Sequence, residues 1–348
     1  MNATVTLKNK RVFFLGVNTG FVHEGLPDQQ FIEFYRQRSS AKLHCAILGN
    51  IVIPGGFGTN AQTPTLSDHS RWADIAEAIS SEGTLPGIQL ATTWPNYLGQ
   101  RKFLAKEPSQ VIEAARQLLS DMTRDEIDDV LDGFFSAAQT AVEHGYQHIQ
   151  IHAAHGYLPS LLLDRGLNPL AEYVQGKMAE LTSFLKSQKV ETSLRWSMRT
   201  GDPEFDRRGI EKGVADVASL HFDFIDLSSG YYNIDKRLIY PSTDHFLSQR
   251  YKDSLRVARR FPEQFFILSG RISAISAELP GNVEIGLCRD LIANPKFLVD
   301  WTEGCRNRGK CHYHSRGSDR LTCPTWHENS KVERRKTDSE GKVEPNPH

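Results

Sequence analysis

The sequence of 348 residues has no long apolar run and almost no excess charge of either sign. None of its apolar runs approaches the roughly 20 residues that a membrane-spanning helix needs. The N-terminal segment MNATVTLKNKR has no apolar core before its first strand-like run, so we expect no secretion signal. The 41 lysines and arginines nearly balance the 42 aspartates and glutamates, and the net charge of −1 gives no reason to expect nucleic acid or a membrane as partner.

Cysteine and dinucleotide-binding motifs are also scarce. Five cysteines do not suggest a disulfide framework, so we expect a cytoplasmic protein. No G-x-G-x-x-G motif follows a predicted strand, which argues against a built-in dinucleotide-binding domain. No internal repeat with a period of about 20–50 residues occurs. The sequence leaves the oligomeric state open, and a homo-oligomer is compatible with it.

What the chain does have is a regular alternation of short apolar runs and helical patterns, from residue 10 to about residue 302. The apolar runs predict eight strands, at 11–17, 43–48, 87–90, 148–152, 192–197, 222–227, 264–268 and 283–287. Several runs lack strict alternation, as expected of parallel strands that are covered on both faces. Eight strands that alternate with helices predict an α/β fold, either a closed (β/α)₈ barrel or a doubly wound open sheet.

The helical patterns have recognisable ends. Thr123-Arg-Asp-Glu126 predicts a capping box at a helix start, and Gly145 predicts the end of that helix. Less sharply bounded helices are predicted at 28–39, 68–81, 207–219, 246–260 and 288–301.

The character of the sequence changes after this region. We expect a barrel domain at 1–302, a short extension with cysteines and histidines at 303–327, and a disordered polar tail at 328–348. A barrel of about 250 residues or more fits this division.

The segment IQIHAAHGYL, residues 149–158, carries the most informative chemistry. A predicted strand ends at His152, so in a barrel His152, His155 and Tyr157 lie at the C-terminal ends of the strands, where barrel enzymes build their active sites. Two imidazoles can donate hydrogen bonds to a carbonyl or nitro oxygen, which polarises a conjugated double bond for hydride addition. The Tyr157 phenol can then protonate the adjacent carbon. A metal site and a purely structural pair of histidines are the open alternatives.

The run His-Ala-Ala-His-Gly-Tyr-Leu resembles the active-site segment of the Old Yellow Enzyme family, whose members are FMN-binding TIM barrels. In that family the two histidines bind the electron-withdrawing group of the substrate, and the tyrosine is the proton donor. The resemblance therefore implies that His152 and His155 bind substrate and that Tyr157 is the acid. This chain departs from the family in the next segment, where NPLAEYVQ at 168–175 replaces the usual Asn-x-Arg-x-Asp-Glu-Tyr-Gly-Gly run.

Other family positions follow in the expected order. The resemblance implies that Val17 and Asn18 after the first strand, Gly55 after the second and Gln89 in the third contact the flavin, with Asn18 at the ring O4. It implies that Arg195 lies near flavin N1, where a fixed cation stabilises the anionic reduced flavin.

The FMN phosphate is assigned, by the same resemblance, to the loops after the seventh and eighth strands. Ser269, Gly270 and Arg271 follow the seventh strand, and Cys288 and Arg289 follow the eighth. Such loops hold phosphate in many barrels, through backbone N–H groups and a charge-assisted contact from an arginine.

Three cysteines, Cys305, Cys311 and Cys323, follow the barrel. Larger relatives, such as the dienoyl-CoA reductases, carry four cysteines there that ligate an iron–sulfur cluster. Cys311 and Cys323 keep the family spacing, but Arg308 stands where a further cysteine would complete the set. Because a [4Fe–4S] cluster takes four thiolates, we expect no cluster and a loop that packs over the barrel without metal. A cluster or a zinc site completed by a histidine of the segment 312–314 stays as the alternative.

These features predict an FMN-dependent ene-reductase that uses NAD(P)H as a transient co-substrate and reduces a small molecule with an activated double bond. The resemblance implies that Ser229 and Tyr231 line the substrate pocket. This chain also departs from the family after Gln89, where ATTW at 91–94 replaces a His-x-Gly-Arg pattern. The departures after Gln89 and Asn168 suggest a pocket reshaped for one molecule, as in specialised biosynthesis.

Three alternatives remain open at this point. The first is a desaturase that runs the reverse reaction. The second is a barrel that binds flavin or a metabolite without catalysis. The third is a metal-dependent hydrolase that uses the histidines.

Overall fold

The structure, a computed structural model, describes residues 9–95, 97, 104–274, 278–301, 303–308, 311 and 318–326. Within them eight parallel strands form a closed barrel, in which each strand pairs with the next along the chain and the last pairs with the first. The strands are β1 (Val12–Phe14), β2 (Cys45–Val52), β3 (Leu85–Ala91), β4 (His148–Ala153), β5 (Glu191–Ser197), β6 (Phe224–Ser228), β7 (Phe265–Leu268) and β8 (Val283–Leu287). All eight lie at the predicted runs, and the closed ring rules out the open sheet.

Helices connect the strands and cover the barrel. They are α1 (Gln29–Arg36), α2 (Arg71–Ser80), α3 (Pro108–Asp121), α4 (Arg124–Glu143), α5 (Leu158–Leu162), α6 (Ala171–Ser187), α7 (Ile210–Ala218), α8 (Lys236–Ile239), α9 (Asp244–Arg260), α10 (Arg289–Ala293) and α11 (Phe297–Asp300). A short hairpin, Val22–His23 with Leu26–Pro27, follows β1. No helix of the described residues combines the length and the apolar character needed to cross a bilayer.

Two predicted helix boundaries can be compared directly with the structure. The capping box is confirmed, because Thr123 Oγ1 accepts from the Glu126 N–H and the Glu126 carboxylate accepts from the Thr123 N–H. The single helix predicted at 288–301 is wrong, since α10 and α11 are separate. Asn294 is extended (φ −137°, ψ 107°), as expected of a residue that precedes a proline, here Pro295.

The barrel wall separates two packed regions. Outside it, large side chains of the helices, such as Trp72 and Phe134, are fully buried against the strands. Inside it, Phe13, Phe224 and Ile267 belong to a separate apolar cluster that fills the barrel. The interior is therefore a packed core, and the open space lies above it, at the C-terminal ends of the strands.

The N-terminal end of the barrel interior holds a polar network. His148 is fully buried, with Nδ1 2.6 Å from Glu191 Oε1 and Nε2 2.7 Å from Ser193 Oγ. His44 Nε2 lies 3.0 Å from Glu191 Oε2. Both ring nitrogens of His148 thus have a partner within the protein.

Candidate active site

A cavity of about 810 Å³ opens at the C-terminal ends of the strands. Ligand sites in proteins typically span about 300–1,000 Å³, so the space suits a cofactor together with a small molecule. Most of the predicted site residues line it, namely Val17, Asn18, Gln89, His152, His155, Tyr157, Arg195, Ser269, Gly270, Arg271, Cys288, Arg289 and Cys311.

Three predicted ring and substrate contacts do not line this cavity. Gly55 lies in an exposed turn with φ +73°, and no side chain or backbone approaches the position of its missing Cβ. Ser229 and Tyr231 are buried on the other side of the loop after β6, where the Tyr231 ring packs against Gly156. Their neighbours Ser228 and Tyr232 face the cavity instead.

His152 lies next to the C-terminal residue of β4, and its ring is buried. Its Nδ1 accepts from the Ala154 N–H at 3.3 Å. Burial and the nearby Arg195 guanidinium hold the pKa of His152 well below its usual range, so the ring is neutral. A neutral imidazole that accepts at Nδ1 carries its hydrogen at Nε2. His152 therefore offers one N–H donor.

His155 is held in a left-handed backbone conformation (φ +62°), and its N–H donates to Ser197 Oγ at 2.9 Å. Its Nε2 lies 2.6 Å from Ser228 Oγ. Its Nδ1 is buried and has no hydrogen-bond partner among the described residues. Burial, followed by the charge of Arg195, lowers the pKa of His155 as well, so this ring is also neutral.

Tyr157 follows the histidines and stacks on His152, with ring centroids 4.1 Å apart and planes at 15°. Its hydroxyl accepts from Asn50 Nδ2 at 3.3 Å. Burial and the neighbouring Tyr232 and Tyr97 hold the pKa of Tyr157 well above its usual range. The phenol therefore keeps its proton at neutral pH.

The floor of the cavity carries more positive than negative charge. Arg195 lines the cavity, with Nε 3.3 Å from Asp226 Oδ2. Arg250 is buried nearby and donates to Leu227 O at 3.0 Å. Burial raises the pKa of Asp226, whereas burial and Arg195 lower the pKa of Arg250 to about 10. Two guanidinium groups against one carboxylate favour a ligand that carries or develops negative charge here.

The ends of β1 and β3 leave little room between them. A Cβ at Gly16 would lie 3.2 Å from Gln89 Oε1, so glycine permits close approach of the backbone there. Gln89 donates from Nε2 to Gln150 Oε1. The Asn18 side chain, which was predicted to reach a flavin oxygen, donates from Nδ2 to Thr63 Oγ1 at 3.0 Å.

The loops after β7 and β8 form another part of the wall. Gly270 (φ +96°) and Arg271 (φ +63°) are both left-handed, and a Cβ at Gly270 would approach Pro241 Cγ to 3.2 Å. Arg289 is fixed by Nη2, which donates to Pro241 O at 2.9 Å, and by Nη1, which donates to Asn307 Oδ1 at 3.3 Å. Two guanidinium groups thus lie in one wall, as an anionic group would require.

The described part of the cysteine extension packs across these loops. The Leu321 N–H donates to Thr19 O at 2.8 Å, and the Cys305 N–H donates to Asp290 Oδ1 at 2.8 Å. Cys311 lines the cavity and Cys323 is buried. In the described residues no three His, Cys, Asp or Glu side chains are grouped closely enough to hold a metal ion. The segment 312–314 and the tail at 328–348 lie outside the described residues.

Several cavity residues were not predicted. Asn50 lies inside β2 and contacts the Tyr157 hydroxyl. Tyr97 lies beyond β3, with its ring centroid 6.2 Å from that of Tyr157. Tyr232 and Tyr240 share a hydrogen bond of 2.7 Å between their hydroxyls. The only available signal was the position of Asn50 and Tyr232 at the C-terminal ends of strands.

Comparison with known proteins agrees with this geometry. The NADH:flavin oxidoreductase / NADH oxidase family matches residues 4–184, more than half of the chain. The NADH-dependent flavin oxidoreductase nadA of Aspergillus parasiticus is 22% identical over 319 residues, which cover 80% of this chain and 70% of that protein. 12-oxophytodienoate reductase 7 of Oryza sativa subsp. japonica is 23% identical over 185 residues, 46% of this chain and 45% of that protein.

A solved structure, a complex of 2-naphthoyl-CoA reductase with 2-naphthoyl-CoA, has the same fold. Its TM-score is 0.66 at 14% identity, and the match covers 90% of this chain and 54% of that one. The chain thus spans about half the length of two of these three proteins. The predicted resemblance is confirmed at the level of the family, and the chain belongs to the NADH:flavin oxidoreductase / NADH oxidase family.

Proposed function

We propose that this chain binds FMN in the 810 Å³ cavity and transfers hydride from NAD(P)H to an activated alkene. One observation carries the proposal, namely the convergence on this cavity of two neutral imidazoles and a protonated phenol. Among the described residues, His155 Nδ1 and His152 Nε2 have no hydrogen-bond partner, and Tyr157 keeps its proton. His155 Nδ1 carries the hydrogen in the tautomer whose Nε2 accepts from Ser228 Oγ. Donors that the protein leaves unpaired in a buried place are suited to a ligand oxygen.

The cavity wall also fits the cofactor. Gly16 leaves room for close backbone approach next to Gln89, and Arg195 supplies positive charge on the floor. Arg271 and Arg289 would hold the phosphate. Bound there, FMN would supply the hydride chemistry between a nicotinamide and a second substrate.

The histidines and the tyrosine supply the rest of the chemistry. One or both imidazoles donate to the carbonyl or nitro oxygen of the substrate and stabilise the negative charge that develops on it. Tyr157 donates its proton to the carbon next to the activating group, and Asn50 holds the phenol oxygen in place.

A titration with FMN, followed by nicotinamide under nitrogen, tests the proposal. We expect FMN to bind, NADH or NADPH to bleach its visible absorbance, and a simple enone to restore the colour. A Gly16→Val variant should weaken FMN binding about tenfold or more, because the added methyls occupy the narrow space beside Gln89.

Gly176→Val is the matched control, because nothing lies near the Cβ position of Gly176 on α6. A wild-type protein that takes up no FMN, or one whose flavin stays oxidised with both nicotinamides, would contradict the proposed function.

A further inference from the structure

A second cavity, of about 640 Å³, lies beside the first. One side of it is formed by α3 and the segment before this helix, and the other by the loops after β4 and β6. The lining is mostly apolar and includes Trp94, Leu104, Val111, Ala115, Leu118 and Leu161. Neither the proposed flavin site nor the proposed reaction uses this space.

The two cavities share a wall. His155 and Tyr97 line both of them. Each residue has one buried polar atom, His155 Nδ1 and Tyr97 Oη, without a hydrogen-bond partner in the described part of the chain. Such atoms are rare in proteins, since a buried donor is normally paired with protein, water or ligand. The wall that the two cavities share therefore holds two buried polar atoms that no described residue binds.

Two small residues of α3, Ala114 and Ala115, leave room on one side of the second cavity. The charged residues of the lining, Lys106 and Glu107, are exposed at the rim and carry opposite signs. This lining suits an uncharged apolar group and offers no cluster of cations among the described residues for a phosphate-bearing one.

We infer that the second cavity binds the apolar, non-reacting arm of the substrate. On this inference, which rests on the proposed function, the substrate is an uncharged α,β-unsaturated carbonyl compound with a long or bulky hydrocarbon arm. Its carbonyl lies at His152 and His155 in the first cavity, and its arm passes between His155 and Tyr97.

Two enones with the same reacting head test the inference. One carries a methyl group on the β-carbon, and the other carries a dodecyl chain in its place. An Ala115→Phe variant fills the second cavity and should raise KM for the dodecyl enone about tenfold or more, which corresponds to the burial of two or more methylenes. KM for the methyl enone and the rate of flavin bleaching by NADH should stay within about twofold.

Ala78→Phe is the matched control, because Ala78 lies half-buried on α2 and lines neither cavity. It should leave KM for both enones unchanged. Leu118→Trp fills the second cavity from another position and should repeat the effect of Ala115→Phe, which guards against one variant that fails to fold. Equal KM changes for both enones, or none for the dodecyl enone in either variant, would overturn the inference.

A binding measurement separates the inference from the proposed function. Equilibrium dialysis of the saturated dodecyl ketone needs no turnover, and Ala115→Phe should weaken its binding about tenfold. Wild-type protein could reduce neither enone and yet bind the ketone, with Ala115→Phe binding it about tenfold more weakly. In that case the proposed function fails and the second site stands. If both enones are reduced and the ketone binds equally to wild type and variant, the inference fails and the proposed function stands.

Discussion

The two ends of the barrel interior each hold a pair of histidines, and the two pairs differ in what surrounds them. At the N-terminal end His148 has a partner on both ring nitrogens, and His44 shares the Glu191 carboxylate with it. At the C-terminal end, counting only the described residues, His155 Nδ1 has no partner and His152 has one at Nδ1 alone. Histidine ring nitrogens thus have more hydrogen-bond partners at the N-terminal end than at the C-terminal end of the described barrel.

The two histidine pairs also differ in the charged group beside them, which is a carboxylate at the N-terminal end and a guanidinium at the C-terminal end. At the N-terminal end, burial would raise the pKa of Glu191, but hydrogen bonds from His148 and His44 outweigh burial and lower it to about 2. At the C-terminal end, burial and Arg195 keep both rings neutral. A saturated network stabilises the fold, whereas donors without partners are available to a ligand. We therefore expect the N-terminal pair to stabilise the fold and the C-terminal pair to bind a ligand.

The largest expected effect belongs to the phenol of the C-terminal end. Tyr157→Phe removes the proton donor and leaves the stack on His152 in place. We expect kcat for enone reduction to fall by about 10²–10⁴, the usual contribution of a general acid. Flavin reduction by NADH should be unchanged in stopped-flow measurements, because that step needs no proton from Tyr157. A variant that reduces enones at the wild-type rate would remove the phenol from the proposed chemistry.

The next effect compares one histidine from each end. His152→Ala removes a donor to the developing oxyanion and should lower kcat/KM for an enone by about 10–100-fold, as expected of a hydrogen bond that strengthens with charge. His44→Ala removes a partner of Glu191 and should lower the melting temperature without changing kcat/KM. Steady-state kinetics and thermal unfolding of both variants test the comparison, which fails if His44→Ala lowers kcat/KM as strongly as His152→Ala.

Much of the fold could be predicted because apolar β-strand runs are local signals. The eight strands follow from such runs, and Thr123 marks the start of α4 through its capping box. The helices α3 and α6 were not predicted. Neither has a side-chain hydrogen bond at its N-cap, and the one local start signal of α3 is Pro108 in its first turn.

The site could be predicted only where a motif joins residues that are close along the chain. His152, His155 and Tyr157 lie within six positions and converge on one cavity. Asn50 and Tyr97 meet Tyr157 from other strands and loops, so no spacing in the sequence points to them. The predicted strand placed His148 and His152 at opposite ends, but the sequence could not show which histidine has partners on both ring nitrogens, because those partners come from different strands.

At the N-terminal end Glu191 should govern stability. Glu191→Gln replaces the shared acceptor and should destabilise the protein by about 2 kcal/mol at neutral pH, a value reduced for the partial exposure of the carboxylate. Because the folded pKa of about 2 lies below the unfolded value, this contribution is complete above about pH 5 and is lost as the pH falls towards 2.

Denaturant unfolding of wild type and Glu191→Gln across this pH range gives the measurement. The difference in the free energy of unfolding should narrow as the pH falls. Glu263→Gln is the control, because Glu263 is exposed and should leave stability unchanged at every pH. A constant difference between wild type and Glu191→Gln down to the lowest pH would show that the carboxylate charge does not stabilise this end.

The smallest effect concerns Ser193, which binds both His148 Nε2 at 2.7 Å and Gln150 Nε2 at 3.0 Å. Ser193→Ala leaves two buried groups without this partner and should cost about 1 kcal/mol, because the polar chain through Gln150 and Gln89 can rearrange in part. Since Gln89 lines the cavity, the same variant also tests whether the two ends are independent. We expect an unchanged affinity for FMN in a fluorescence titration. A weaker affinity would mean that the network at the N-terminal end positions Gln89. The same network would then contribute both to the stability of the fold and to the binding of FMN.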